Sequence, residues 1–539
     1  MPLSCVSLSA CLLAGVGLAA AAGERKAFSI LDYGAKGDGN TPCAGAIGKA
    51  IDACAAAGGG TVRIPAGTFR TGAVRLRSGV TLRLEKGATL LGSRDRKDYY
   101  LPPLDANGRA TAGEPVFCNL IHGEGLRDVG IVGEGTIDGS GSAFRDKTQK
   151  RPKCIYLAGC RNVLIEGVRM RAAGSWMQHY RLCEKLTIRD VDVFNHVSFN
   201  NDGMNIDSCR DVTIARCRVD SDDDGIVLKS LSSTPCRNVA IRECTVSSHC
   251  NGLKMGTESG GGFVDVTIEK CTVFSPKHSQ KIYGRQRGLA GLAMEIVDGG
   301  RLDNVRVSDV DITGVSVPIF LRLGNRARVY GKGGDAAHAK KPGVGTFRKV
   351  RLSNITATGV SAIGCSITGL PGHRVEDVVL ENVKLRFEGG GSADDAKRDI
   401  PEREASYPES TMFGTLPAWG LFCRHVRGLR FANLQLRTTE KDLRHAIVLD
   451  DAAGVEIDGL DAGFSPGAAA LLRLTNAQVV TLSRYSPKQP VDTLFRLEGK
   501  ATRDIRLTKS DLTGVRRLVD ASPDVPAAIL KKETDAGSP

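Results

Sequence analysis

Four aspartates in two short stretches are the residues of this sequence best suited to do chemistry. "SDDDGIVLKS", residues 221–230, holds Asp222, Asp223 and Asp224 side by side, and "FNNDGMNI", residues 199–206, holds Asp202. Adjacent carboxylates repel one another, and burial of an ionised carboxylate is costly or raises its pKa. Their position at the start of an apolar strand pattern predicts a general acid beside a general base. A solvated turn and a calcium site are the alternatives.

Glycoside hydrolysis requires such a set of carboxyl groups. One group protonates the leaving oxygen while another activates water or attacks the sugar, so their pKa values must differ. Asp202 precedes Asp223 by 21 residues. The two aspartates meet if the chain returns to the same face after each repeat of about this length.

A repeat of this kind runs along most of the chain. It appears as "KLTIRDVDV" at 185–193, "DVTIARCRV" at 211–219, "NVAIRECTV" at 238–246 and "DVTIEKCTV" at 265–273. The isoleucine at its fourth position recurs at intervals of 26, 27 and 27 residues. Alternating apolar and polar residues are typical of half-buried strands, and Gly, Asn and Asp follow as turn residues. Stacked coils of short strands predict an all-β fold, a right-handed parallel β-helix.

The open end of such a solenoid needs a cap. "TPCAGAIGKAIDACAAAGGG", residues 41–60, has apolar residues at helical spacing, a proline near its start and glycines at its end. This pattern predicts a short N-terminal capping helix. Leucine-rich repeats share the period but need a leucine and asparagine framework that this sequence lacks, and propeller blades need longer repeats.

The cysteines follow the repeat. Fourteen of them come after residue 22, and Cys217, Cys244 and Cys271 are 27 residues apart. Disulfides are the usual expectation in an exported protein. A constant interval is instead typical of a stacked core position, so we expect these three to be buried thiols in a ladder. No CxxC pair is present, which argues against a structural zinc site.

Composition divides the chain into a leader, one domain and a tail. Residues 1–22 carry no charged side chain and end in small residues, which predicts a signal peptide and a secreted or periplasmic protein. We expect a single β-helix domain over 23–518, with polar inserts at about 325–347 and 386–418, and a poorly packed tail at 519–539. No later stretch is apolar enough to span a bilayer.

Several motifs resemble glycoside hydrolase family 28, the polygalacturonase family of pectin-degrading enzymes. "FSILDYGAKGDG" (28–39), "GGGTVRIPAGTFRTG" (58–72) and "GEGTIDGSG" (133–141) are similar to the opening of that family. The resemblance covers about residues 28 to 385 well and later residues less clearly.

The resemblance also implies roles for the aspartates. Asn200 and Asp202 match the first and last residues of the family's Asn-Thr-Asp motif, while Asp223 and Asp224 match its Asp-Asp motif. By resemblance, Asp223 is the general acid, Asp202 and Asp224 activate water with inversion of the anomeric centre, and Asn200 contacts substrate. Asp222 has no role in the family and is expected to be a turn residue.

Two family motifs are altered. In place of the Gly-His-Gly histidine stands Asn251, and His249, two residues earlier, is a candidate substitute or a turn histidine. The Arg-Ile-Lys motif, which grips the substrate carboxylate in the family, has Ala293 and Glu295 at its two cationic positions. The subsite therefore either no longer reads galacturonate or is served by other cations.

Three further residues are candidates for substrate contact. Lys254 follows the Asn251 turn, with a solvated lysine as the alternative. Arg322 lies in "PIFLRLGNRAR", residues 318–328, with a structural ion pair as the alternative. Trp176 offers a face for a sugar ring or packs in the core.

The charge and the resemblance together indicate the partner. The formal charge of +13 and pI near 9.0 favour a polyanion. We expect an acidic polysaccharide, such as pectin or rhamnogalacturonan, and no nucleic acid, membrane, metal or cofactor; the protein is expected to be a monomer. The competing hypotheses are a calcium-dependent polysaccharide lyase and a non-catalytic, glycan-binding β-helix.

Overall fold

The chain forms a parallel β-helix. The computed structural model describes residues 26–103, 105, 111–276, 282–283, 286–330, 340–526 and 529–533. In this part of the chain, 39 strands form one continuous hydrogen-bonded sheet that winds through three faces. The predicted signal peptide at 1–22 lies outside the described residues.

The first face carries the candidate site. Its strands are Val74–Arg75, Ile121–Glu124, Ile155–Ala158, Gln178–Arg181, Met204–Asp207, Ile226–Ser230, Asn251–Ser259, Ala290–Ile296, Val317–Leu323, Cys365–Thr368, Ala418–Thr438, His445–Asp458, Leu472–Thr475, Val491–Glu498 and Val515–Ala521. Successive strands pair in parallel, so the order of coils in the sequence is also their order in space.

The second and third faces complete each coil. The second comprises Ala27–Ser29, Gly60–Ile64, Val80–Leu84, Arg127–Gly133, Arg161–Glu166, Glu184–Arg189, Arg210–Ala215, Cys236–Arg242, Gly262–Phe274, Arg301–Thr313, Thr346–Val360, Val375–Phe387, Gln478–Ser483, Arg503–Thr508 and Leu530–Glu533. The third comprises Asp38–Pro42, Gly67–Thr71, Ala88–Gly92, Thr136–Asp138, Arg169–Arg171, Asp192–Asn195, Arg218–Ser221, Thr245–Ser248 and Asp461–Ala462. The longer strands bend from one face to the next, and a separate antiparallel pair joins Tyr100–Leu101 to Val116–Phe117.

The recurring phrase stacks in register. Its isoleucines Ile188, Ile214, Ile241 and Ile268 are aligned on successive strands and buried. The first residue of the phrase adopts a left-handed conformation, with φ of 53° to 60° at Asn162, Lys185, Asp211, Asn238, Asp265 and Asn304. Asn and Asp accept this conformation more readily than other residues with a side chain. The phrase thus encodes a turn followed by a strand, and the predicted fold class is confirmed.

The capping helix spans Ala44–Ala56 and buries Ile47, Ala50, Ile51 and Cys54 against the first coils. In the described residues, short 3₁₀ turns lie at Ile30–Tyr33, Arg96–Tyr99, Gly141–Ala143 and Asp395–Lys397. No helix of the described residues is both long and apolar enough to cross a membrane.

Strand-free segments fall where the sequence predicts inserts. The first comprises the described residues 324–330 and 340–345, and the second covers residues 388–417 between Phe387 and Ala418. The ladder continues past residue 518, because Leu530–Glu533 pairs with Arg503–Thr508. The solenoid therefore extends further into the predicted tail than the pattern of apolar residues indicates.

The fourteen cysteines of the described residues are all buried, and they form no disulfide with one another. Cys217, Cys244 and Cys271 occupy equivalent positions just before paired segments on successive coils. The predicted thiol ladder is confirmed, and the sulfurs pack as small apolar side chains.

We expect dithiothreitol to leave the melting temperature of the purified protein unchanged, because no disulfide joins the cysteines of the described residues. A thiol reagent should label the native protein poorly and the urea-unfolded protein fully, as buried thiols become accessible only on unfolding. Calorimetry with and without reductant, followed by mass spectrometry of labelled protein, tests this. A melting temperature that falls in reductant would contradict it.

Candidate active site

Successive coils bring Asp202, Asp224 and Asn251 to the same edge of the first face. The N–H of Gly203 donates to Asp224 O at 2.9 Å, and the N–H of Gly225 donates to Asn251 O at 2.8 Å. Asp202 and Asp224 are therefore neighbours across one strand spacing, about 4.8 Å. The 21-residue interval between Asp202 and the triplet predicts this neighbourhood.

The glycines after these residues allow close packing of the coils. A Cβ at Gly203 would lie 2.3 Å from Val219 Cγ1, and one at Gly225 would lie 2.4 Å from Val246 Cγ1. Both distances are far inside van der Waals contact. Glycine thus lets the chain turn tightly over the valines, and the preceding acid is held at the mouth of each strand.

The three aspartates differ in their surroundings. Burial and the charge of Asp223 hold the pKa of Asp202 well above its usual range. Burial and the charge of Asp224 raise the pKa of Asp223, which is half-buried. Asp224 is paired: Lys254 Nζ lies 3.2 Å from its Oδ2, and Asn251 Nδ2 donates to its Oδ1 at 2.7 Å. The cluster combines two carboxyl groups whose pKa is raised with one that is paired to a cation.

Two buried lysines supply positive charge to the cluster. Lys229 Nζ lies 3.1 Å from Glu258 Oε2 and 3.8 Å from Asp202 Oδ2, and Lys254 Nζ lies 3.8 Å from Glu295 Oε2. Burial opposes their charge, but neighbouring carboxylates raise the pKa of both lysines. Burial raises the pKa of Glu295 to about 8. Glu258 behaves oppositely: burial acts to raise its pKa, but Lys229, Lys254 and Arg326 together lower it to about 2.

Tyr283 is a member of the site that the sequence does not reveal. Its Oη donates to Asp223 Oδ2 at 3.0 Å and accepts from the N–H of Asn200 at 3.0 Å. Asn200 is exposed, and its Oδ1 accepts from Arg151 Nη2 at 2.8 Å. Tyr283 lies outside the repeated phrases, between strands that end at 274 and begin at 290, so no periodic position marks it.

Asp222 and His249 belong to a buried network below the aspartates. His196 Nε2 lies 2.9 Å from Asp220 Oδ1, and its Nδ1 lies 3.8 Å from Asp222 Oδ1. The His249 ring meets the His196 ring edge-on at 5.5 Å. Asp222 Oδ1 also accepts from the N–H of Ile282 at 2.9 Å. Asp222 therefore anchors the segment that carries the phenol of the site, a larger role than the turn residue that the sequence suggests.

His196, Asp222 and His249 each offer an atom within 4.8 Å of the others, a spacing that admits a metal. The contacts of His196 with two carboxylates instead describe a charge network. Burial acts against the charge of His196, but Asp220 and Asp222 raise its pKa, and His196 in turn lowers that of Asp222.

The half-buried indole of Trp176 lies between two cations. Lys229 Nζ is 4.9 Å and Lys153 Nζ is 4.5 Å from the ring centroid. Such spacing is typical of cation–π contacts. Trp176 thus links the aspartate cluster to the coils that precede it, and its contact with sugar stays a prediction.

Residues 388–417, which we call the covering segment, are fastened by Arg322. This side chain is buried, and its Nη2 donates to the carbonyls of Glu402 at 2.7 Å and Arg403 at 3.4 Å. Its Nη1 donates to Gly369 O at 3.1 Å. These contacts commit the guanidinium to the backbone, so Arg322 holds the covering segment and its predicted contact with substrate has no support in the geometry.

The covering segment lies over the first face just after the aspartate coils. It forms an apolar cluster with that face, comprising Ala290, Ala293, Val317, Phe320, Ile400, Phe413, Leu416, Ala418, Phe422 and Val448. Ser410 Oγ donates to Leu289 O at 2.9 Å, and the Tyr407 ring centroid is 5.8 Å from Lys254 Nζ. The face is therefore occupied by the chain itself from Ala293 onward.

We expect Glu295→Gln to stabilise the protein increasingly as pH rises from about 4.5 to about 8. The pKa of Glu295 is about 8 in the folded chain, against its ordinary value of 4.5. Between these values the unfolded state releases a proton that the folded state keeps, so stability falls as pH rises. Glutamine removes this loss, on the order of a few kcal/mol, and preserves an acceptor for Thr257 Oγ1, which donates to Glu295 Oε2 at 2.9 Å.

Melting temperatures of both proteins at pH 5 and pH 8 provide the measurement. Glu456→Gln, at an exposed strand glutamate, is the matched control and should leave the pH dependence unchanged. Equal pH dependence in wild type and Glu295→Gln would contradict the expectation.

Comparison with known proteins places the chain in a family. The model of the family described as glycosyl hydrolases family 28 matches residues 54–405. A probable polygalacturonase from Vitis vinifera is 33% identical over 217 residues, 38% of this chain and 44% of that protein. An exo-poly-alpha-D-galacturonosidase from Dickeya chrysanthemi is 39% identical over 133 residues, 22% of this chain and 20% of that protein. The chain thus spans less than half of the length of either relative.

A solved structure agrees in fold. The exopolygalacturonase from Thermotoga maritima superposes with a TM-score of 0.57 at 22% identity, covering 76% of this chain and 92% of that one. Because the family model matches well over half of the chain, the protein belongs to glycosyl hydrolases family 28.

Proposed function

We propose that the protein is a glycosidase that hydrolyses pectin or a related acidic polysaccharide, with Asp202, Asp223 and Asp224 as its acid and base groups. The observation that carries the proposal is the division of labour among these neighbours. Asp223 is raised in pKa and half-buried, while Asp224 is paired with Lys254 at 3.2 Å. Family membership and the polygalacturonase relatives support the reaction class.

The geometry suits general acid–base hydrolysis. Asp223 gives its proton to the glycosidic oxygen as the bond to the anomeric carbon breaks, and Tyr283 stabilises the carboxylate that remains. Asp224 takes a proton from water as the water oxygen bonds to that carbon, and the products are a new reducing end and a free hydroxyl. Asp202, whose pKa is raised, lies beside Asp224 and helps to hold the water. Attack from the opposite side of the ring inverts the anomeric centre.

The buried lysines favour hydrolysis over a calcium-dependent lyase. Lys229 and Lys254 lie within 3.8 Å of Asp202 and Asp224, where they supply the positive charge that a calcium ion would bring. The net charge of +13 suits an acidic polymer. We further propose that the protein is secreted or periplasmic, where such polymers are met, and acts as one solenoid domain with the two inserts.

The covering segment favours attack near a chain end. A polymer that crosses the aspartates meets packed protein at Ala293 on one side, so only a short stretch of substrate fits there. The relative from Dickeya chrysanthemi, whose name describes an exo enzyme, is consistent with this mode. We propose exo action, with the polymer extending over the coils that precede Asp202.

We expect wild-type protein to release reducing ends from polygalacturonate, and Asp223→Asn to lower kcat by about a thousandfold, because an amide cannot deliver the proton. Reducing-end assays of both proteins measure this. Asp211→Asn, at an exposed turn aspartate, should retain activity. Products that absorb in the ultraviolet, together with inhibition by chelator, would establish the lyase instead, and unchanged activity in Asp223→Asn would refute the assignment.

Exo action predicts the size of the products. We expect mono- or disaccharides from the first minutes of digestion, while the viscosity of the polymer falls slowly in relation to the reducing ends released. Size-resolved chromatography and viscometry of the same digest measure this. An early spread of long oligomers with a rapid fall in viscosity would show internal cleavage and contradict the mode.

A further inference from the structure

A cleft of about 680 Å³ opens on the first face over the coils that precede the aspartates. It follows the strands Val74–Arg75, Ile121–Glu124, Ile155–Ala158 and Gln178–Arg181, and Phe117 lies on its rim. The last of these strands pairs with Met204–Asp207, which begins two residues after Asp202. The cleft therefore begins one coil from the candidate active site, on the side that the covering segment leaves open.

Cations dominate the wall of this cleft. Its lining includes Arg75, Lys153 and Arg181. Among its described lining residues, the one carboxylate belongs to the exposed Glu124. Arg181 Nε lies 3.4 Å from Asp207 Oδ2, a carboxylate behind the wall, and Arg75 Nη2 contacts a cysteine sulfur. The positive charge of the wall exceeds the negative charge that faces it.

Lys153 is hydrogen-bonded to a neutral histidine, His179. Its Nζ lies 2.8 Å from His179 Nδ1, and His179 Nε2 lies 3.3 Å from Asp207 Oδ2. An ammonium can only donate, so Nδ1 accepts and the ring proton resides on Nε2, directed at Asp207. Burial lowers the pKa of His179 to about 4, so the ring stays neutral near pH 7. Burial also lowers the pKa of Lys153 to about 8, a cost that a bound anion would relieve.

Aromatic rings complete the binding surface. The Tyr156 ring lies between His122 and His179, with centroids 5.4 and 5.2 Å away. Lys153 Nζ stands 5.1 Å from the Tyr156 centroid and 4.5 Å from that of Trp176. A flat apolar surface beside a few placed charges is the usual composition of a small-molecule site. Such a surface suits a sugar ring that carries a carboxylate.

The cleft and the aspartates share one continuous surface. The Trp176 ring contacts Lys153 on the cleft side and Lys229 on the other, and Lys229 Nζ lies 3.8 Å from Asp202 Oδ2. A polymer that occupies the active site can therefore continue into the cleft without leaving the first face.

We propose that this cleft is a subsite for a uronate unit of the polymer, in which Lys153, with Arg75 and Arg181 beside it, binds the sugar carboxylate. This inference rests on the proposed function and names the place where the carboxylate of the substrate binds. The substrate carboxylate is then recognised on coils that precede the one carrying Asp202, at a distance from the cleaved bond.

Binding to a protein that cannot cleave tests the subsite. In full-length Asp223→Asn, titration calorimetry with trigalacturonate and with its methyl ester compares charged and uncharged ligands of one shape. We expect the acid to bind more tightly, and Lys153→Met to weaken its binding by roughly tenfold or more while changing ester binding little. Lys86→Met, at an exposed lysine remote from the cleft, is the control for charge alone and should have no effect.

A second variant guards against misfolding. Arg75→Met removes a cation whose described contact is a cysteine sulfur, so it leaves no buried carboxylate unpaired, and it should weaken acid binding in the same sense. Far-ultraviolet circular dichroism confirms that each variant is folded. Equal affinity for acid and ester, or equal weakening of both by Lys153→Met, would overturn the subsite. Absence of hydrolysis by wild type would instead overturn the proposed function, so the two failures are distinguishable.

Discussion

The site depends on one constraint: carboxyl groups outnumber ammonium groups on adjoining coils, and most of these groups are buried. The acids are Asp202, Asp223, Asp224, Glu258 and Glu295, and the cations among them are Lys229 and Lys254. A buried charge is stabilised by pairing, so the pKa of an acid in surplus rises. The division follows from contact. Glu258, beside Lys229, has a lowered pKa, whereas the pKa values of Asp202 and Glu295 are raised.

The β-helix creates this constraint by its geometry. Residues one coil apart are separated by a single strand spacing, about 4.8 Å, so acids that are remote in sequence become neighbours in space. The turns that hold Asp202 and Asp224 are fixed by glycines packed on valines of the third face. A rigid scaffold of this kind cannot relax to separate the charges, and the raised pKa values are therefore properties of the fold. An acid that stays protonated beside a paired base is what the proposed hydrolysis needs.

The sequence predicts the site residues whose positions follow the repeat, and it does not predict those whose contacts depend on tertiary structure. The isoleucine interval defines the coil, and the coil places Asp202 beside Asp224. Lys229 ends an ordinary core phrase, and nothing in its spacing shows that its side chain turns back to Asp202. Tyr283 belongs to a stretch without period, and only tertiary contacts bring its hydroxyl to Asp223. The sequence predicts Arg322 as a cation near the site. Its partners are backbone carbonyls, including one in the covering segment, and no local sequence pattern determines where that segment packs.

The departures from the family motifs and the position of the covering segment have one physical explanation. Where the family grips a carboxylate with Arg and Lys, this chain has Ala293 under an apolar cover and Glu295 against Lys254. A cation at either position would be buried beneath the covering segment without access to substrate. Its absence therefore avoids the free-energy cost of burying a charge and loses no contact with substrate. Recognition of the proposed acidic polymer would then require cations elsewhere on the same face. Lys153 lies on the open side, one coil beyond Trp176, where a substrate carboxylate can reach it.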